Sequence, residues 1–131
     1  MDFTSQICTT KEQSERLLAL GLKKETADMG WVKMLNGDEY VIAIAEDYAF
    51  IDIPAWSLHR LIEMTPTTVP DKSNIIHYLT IDGASISYYY FGEEDWEIWK
   101  NWSKKELYDN VIDCIEWLIK ERHFNKEYLD E

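Results

Sequence analysis

Two dipeptides constrain this chain more than anything else in it. Asn36-Gly37 divides "WVKML" from "DEYVIAI", and Asp82-Gly83 divides "IIHYLTI" from "ASISYYYF". Both residues of each pair tolerate positive φ, the requirement of a two-residue hairpin turn whose twist matches that of its strands. Counting outward from Asn36-Gly37 pairs Leu35 with Asp38, Lys33 with Tyr40 and Trp31 with Ile42. Trp31, Leu35, Tyr40, Ile42 and Ile44 then share the face better suited to a core, and Val32, Met34, Glu39 and Val41 the other. Counting from Asp82-Gly83 pairs Ile81 with Ala84, Leu79 with Ile86, His77 with Tyr88 and Ile75 with Tyr90. Tyr78, Thr80, Ser85, Ser87 and Tyr89 line the more polar face. The stretch 48–53, "YAFIDI", reads as a third strand beside the first hairpin.

Three helices accompany the hairpins. In "TTKEQSERLLALGL", Thr10 and Gln13 have capping-box spacing, and Gly21 stands where a left-handed residue ends a helix, so 10–20 is helical. "PAWSLHRLIEMTP" predicts a second helix over 54–66, with Pro54 in the first turn. The turn-rich 66–74 predicts an exposed loop. Leu107, Val111, Cys114, Ile115 and Leu118 recur at helical spacing and predict a helix over 104–122, with Ser103 and Glu106 placed as a second capping box. Two hairpins are marginal alone, and sharing one antiparallel sheet packed against about three helices solves that. At 131 residues the expectation is a single α+β domain spanning 1–131. Its core should include Leu17, Ile42, Leu61, Leu79, Ile115 and Leu118.

Charge narrows the function. With 25 acidic against 13 basic residues the formal net charge is −12, and no basic patch is visible, so direct nucleic-acid binding is not expected. Cys8, in a tail, and Cys114, in a helical stripe, make no disulfide framework, which suits a reducing compartment. The opening "MDFTSQICTT" lacks the basic-then-apolar pattern of a signal peptide, and no apolar run approaches the ~20 residues of a membrane span. The chain reads as an acidic cytoplasmic protein without membrane contact.

Three blocks, "EQSERLLALGLKKETADM" (12–29), "PAWSLHRLIEMTP" (54–66) and "WLIKERHFNKEYL" (117–129), resemble small uncharacterised proteins encoded by gut Bacteroidales and their phages or mobile elements. The resemblance covers about a third of the chain. It implies membership of that clan and carries no assigned activity over to any residue. The relatives carry glycine where His123 stands, which implies a left-handed residue there.

No motif carries chemistry outright. His59, His77 and His123 fall in separate elements without zinc spacing, so no metal or other cofactor is expected. His77 reads as a hydrogen-bonded core histidine and His59 as a surface residue. Ser57 lacks the glycine flanks of a nucleophile elbow. Asp47 with Asp52, and Asp82 with Glu93, are carboxylate pairs only in the weak sense that an acidic chain always offers some. The run "GEEDWEIWKNW" stands out. Trp96, Trp99 and Trp102 are spaced i, i+3, i+6, which aligns them along one side of a helical turn among Glu93, Glu94, Asp95 and Glu97. Either the rings lid the core, or Trp96 and Trp102 with the four carboxylates form an anchor for a protein with an apolar centre and a basic surface. Two function classes follow: a non-catalytic protein-interaction module or accessory protein, and a small ligand-binding protein or enzyme with an aromatic-lined pocket.

Overall fold

The computed structural model describes residues 5–35, 37, 39–44 and 51–130. The chain is α+β and divides into two compact units, Met1–Glu63 with Lys126–Glu131, and Met64–Asn125.

The first unit begins with α1 (Lys11–Ala19). Thr10 Oγ1 accepts from the Gln13 amide while Gln13 Oε1 accepts from the Thr10 amide, the reciprocal cap expected from the spacing. At the other end Gly21 has φ +103°, Leu22 N–H donates to the Leu17 carbonyl and Gly21 N–H to that of Leu18. These two bonds close the helix as a Schellman motif and bury Leu22. Three strands follow, β1 (Met29–Lys33), β2 (Tyr40–Ile44) and β3 (Ile53–Ala55), in the sheet order β2-β1-β3. Lys33 pairs with Tyr40 and Trp31 with Ile42, as counted from the turn; Asn36, Asp38 and 48–50 lie outside the described residues. The expected core face is not closed. Leu35, Ile42 (37% exposed) and Ile44 are exposed because, among the described strands, β2 is the outer edge of the sheet and α1 packs chiefly on β3 at the opposite edge.

Pro54 lies in β3 opposite Gly30 rather than in a helix. Among the described strands β3 is an edge and pairs only with β1, a position at which proline's missing N–H is tolerated. The helix α2 runs only Leu58–Met64. Ser57 starts it: its Oγ accepts from the Arg60 amide at 3.1 Å.

The second unit holds β4 (Thr68–Pro70), β5 (Ile76–Asp82), β6 (Ser85–Phe91), β7 (Trp96–Trp102) and α3 (Leu107–Lys120), with the sheet order β4-β5-β6-β7, all antiparallel. The two hairpins therefore belong to different sheets, which corrects the single sheet expected. Each hairpin escapes marginal stability by recruiting neighbours, the three-residue β3 in one case and the three-residue β4 with the seven-residue β7 in the other. Part of the expected loop 66–74 is β4, whose Val69 is buried opposite His77.

In the second hairpin Asp82 pairs with Ser85 and Ile81 with Ile86, so the turn is Gly83-Ala84, one step later than counted. Gly83 alone has positive φ, +59°, which fits a type II′ turn with glycine first. The faces survive the shift. Ile86, Tyr88 and His77 are buried on one side and Leu79 is half-buried, while Tyr78 stands exposed on the other.

Against the buried side lies α3, burying Val111, Ile112, Cys114, Ile115 and Leu118. Its start is not a Ser103–Glu106 box, since Glu106 makes no side-chain cap and Ser103 bonds Asn101 instead. Buried Asn110 holds the approach, accepting from Lys105 N–H and donating to the carbonyls of Lys105 and Ala84. The helix closes with a second Schellman pair, His123 N–H to Leu118 and Arg122 N–H to Ile119. The left-handed residue is Arg122 (φ +63°), one position before the His123 that the resemblance implied.

Candidate functional site

"WEIWKNW" is the strand β7, not a helical turn. Gly92 N–H bonds the Asp95 carbonyl at 2.7 Å and closes a tight connection from β6, after which Phe91 pairs with Trp96, Tyr90 with Glu97 and Tyr89 with Ile98. The ladder then slips: Tyr88 pairs with Lys100, leaving Trp99 as the extra residue of a β-bulge. The bulge resets the alternation: a regular strand would put Trp96 and Trp102 on one face and Trp99 on the other, whereas here Trp102 joins Trp99 on the helix side and Trp96 alone stays opposite.

One face is bare. Opposite α3 the sheet presents Ile76, Tyr78, Phe91, Trp96 and Ile98, each 44–65% exposed, with Tyr89 half-buried among them. Register places them side by side, Tyr78 beside Tyr89 beside Ile98, and Phe91 beside Trp96. Edge-on ring contacts from Trp96 to Tyr89 (4.6 Å) and Phe91 (5.0 Å) tie the patch together. Glu93, Glu94 and Asp95 stand exposed at the connection beside Trp96.

Of the residues singled out from the sequence, the structure thus gathers Trp96, Glu93, Glu94 and Asp95 at one end of this patch. It parts Trp102 from them, and it turns Glu97 away from Trp96 while keeping it with the other carboxylates, since Glu93, Glu94, Asp95 and Glu97 line one hollow with Tyr90. Glu97 faces the helix side, accepting a hydrogen bond from the Tyr90 hydroxyl that raises the phenol's pKa. Trp102 is on the helix side too, opposite Ile86, with its ring 5.5 Å from that of Trp117. Ile76, Tyr78, Phe91 and Ile98 were missed. The tyrosines of the "polar" face were the available sign, and the strand nature of 96–102 was needed to complete it.

The helix side carries an aromatic cluster. Trp99 stacks on buried His77 at 4.2 Å and meets Trp117 at 83° and 5.3 Å; His123 tilts against Trp117 at 5.6 Å. His77 Nε2 is 3.0 Å from Asp71 Oδ2, and Asp71 Oδ1 accepts the amides of Ser73 and Ile75. The His77 bond, assisted by those amides, holds the Asp71 carboxyl below its ordinary 3.8. His77 Nδ1 is buried without a hydrogen-bond partner among the described residues. Trp99, Lys100, Trp117 and His123 with the turn 71–73 surround an open cleft of about 650 Å³.

Elsewhere the polar groups are structural. Cys8, expected in a tail, bridges to Ser57 in extended pairing and is buried. Burial, with Asp28 nearby, pushes its thiol up to about 11, and burial raises Cys114 as well. Both cysteines are free thiols. Ser57 donates to Asp28 and caps α2, a hydroxyl with both roles taken. Asp47 lies outside the described residues, and Asp82 and Glu93 sit beyond opposite ends of β6, roughly 20 Å apart along the strand. No group of three His, Cys, Asp or Glu among the described residues is placed to hold a metal ion, and no helix among them is long and apolar enough to cross a membrane.

No family model, curated protein or solved structure matches the chain.

Proposed function

We propose that the chain is a non-catalytic protein-interaction module of the cytoplasm, docking through the bare face of its four-stranded sheet onto a protein with an apolar centre and a basic rim. The observation that carries this reading is the row of five large apolar side chains left about half exposed opposite α3. Such a patch is on the order of 400 Å², the size of a typical monomer's largest apolar patch, which is often functional. Tyrosines within it, a tryptophan at one end and carboxylates beside that end supply the aromatic anchors and charged rim of such a site.

Aromatic sheet faces also stack nucleic-acid bases, but those surfaces pair their rings with lysine and arginine for the phosphates. This face has none among its described positions: the bulge turns Lys100 to the other side. A basic protein surface is the better fit. An accessory or antagonist protein of a phage or mobile element, the origin implied by the sequence resemblance, is a setting in which such docking is useful.

The test compares wild type with Phe91→Ser/Ile98→Ser as bait in a bacterial lysate. The expected partner is held by wild type in low salt, lost with the double variant, and associates more slowly as salt rises. Retention by the variant, with its fold intact by circular dichroism, removes this face from the reading. Sedimentation showing that wild type self-associates and the variant does not would make the partner a second copy.

A further inference from the structure

We propose that the cleft beside Trp99 binds a small ligand in which a planar aromatic ring carries an anionic group. The cleft lies on the helix side of the sheet, away from the docking face, so this inference stands independently of that reading.

Its volume, about 650 Å³, falls in the range of small-molecule sites. Trp99 and Trp117 meet almost at right angles and make an apolar corner. The corner is held in advance of binding. Trp99 rests on His77, and Asp71 fixes His77, so little ordering remains when a flat ring is laid on the indoles.

The lining of this cleft is formally balanced, two lysines against two acids, in a chain whose net charge is −12. Lys100 Nζ sits 5.8 Å from the Trp99 ring centroid and 5.7 Å from that of Trp117, at the outer reach of a cation–π contact. Lys72 lines the same cleft from the turn after β4. Neither lysine has a carboxylate partner among the described residues, in a chain with nearly two acids per base. Two acids line the cleft. Asp71 has both oxygens occupied by His77 and backbone amides, and Glu121 projects from the end of α3. A neutral sugar would leave both ammonium groups unused, whereas an anion on an aromatic ring meets the indoles and a lysine together. Repulsion from more distant carboxylates is screened beyond about 8 Å at physiological salt.

A carboxylate on an aromatic acid and the phosphate of a nucleotide share this chemistry. The experiment follows the indole N–H signals of Trp99 and Trp117 in the full chain by two-dimensional NMR. Indole-3-acetate and AMP are titrated to millimolar concentration, with indole-3-acetamide and adenosine as their neutral counterparts. The expected result is saturable shifts of both indoles with at least one anionic probe, and binding about tenfold weaker for its neutral counterpart, a difference of about 1.4 kcal/mol. Lys72→Met/Lys100→Met should abolish that difference; Lys100→Gln alone should reduce it and serves if the double variant misfolds. A response to indole-3-acetate alone assigns the carboxylate source, and one to AMP alone the phosphate source. Unmoved indoles with both anions, equal binding of neutral and anionic probes, or an unchanged preference in the lysine variants overturns the proposal.

Discussion

His77 is buried with one ring nitrogen held by Asp71 and the other without a partner among the described residues, and the bond has a consequence for Asp71. Its carboxyl is held below 3.8, so between the lowered value and the ordinary one the unfolded chain binds a proton that the native state does not. The stabilisation is therefore present above about pH 4 and is lost as pH falls through the lowered value. Asp71→Asn should flatten the acid limb of a stability-versus-pH curve measured by urea denaturation, and an unchanged limb would show that Asp71 contributes nothing there. The cysteines give a second prediction. A thiol pushed to about 11 is only about one part in a thousand ionised at pH 8, and Cys114 is raised too. Native protein should resist a maleimide that labels both cysteines at once in denaturant; rapid native labelling would mean that these sites open.

Among the elements, β7 shows why the tryptophan run was misread. A spacing of three is a helical neighbour distance, but a bulged strand produces it as well, and nothing local to "WEIWKNW" distinguishes the two. Pairing with β6 does. The consequence is a split among the rings. Trp99→Ala removes a ring held between His77 and Trp117 and should cost toward the lower end of about 3–5 kcal/mol. Trp96→Ala loses only contacts on the bare face and should cost about 1 kcal/mol. Equal losses in thermal melts would contradict the assignment of faces. At the end of α3, Arg122 occupies a left-handed conformation that glycine adopts without steric penalty. Arg122→Gly should stabilise the protein by about 0.5–1 kcal/mol, after the added freedom of the unfolded chain is offset. A lower melting temperature would mean that the arginine side chain stabilises the fold in some other way.

For the molecule as a whole, the dominant burial in the second unit is α3 on its sheet. Ile115→Ala should cost about 2–5 kcal/mol by opening a cavity, and a loss under about 1 kcal/mol would show that this helix face is not the core. Local patterns made much of the molecule legible. The capping box and glycine stop of α1, the register of the first hairpin, the faces of the second and the stripe of α3 all depend on residues within a few positions of one another. That short range is why they could be read. The merging of hairpins into sheets, the strand identity of 53–55, 68–70 and 96–102, and the exposure of Ile42 depend on partners distant in sequence. A three-residue strand has no periodicity of its own, and an apolar face becomes core only where another element covers it. The same limit governed the sites. Sequence supplied the acidic charge and tryptophans in plenty. Pairing with β6 set Trp96 and Trp99 on opposite faces, and only the bulge at Trp99, a tertiary adjustment of one strand to its neighbour, brought Trp102 and Lys100 to the side of α3.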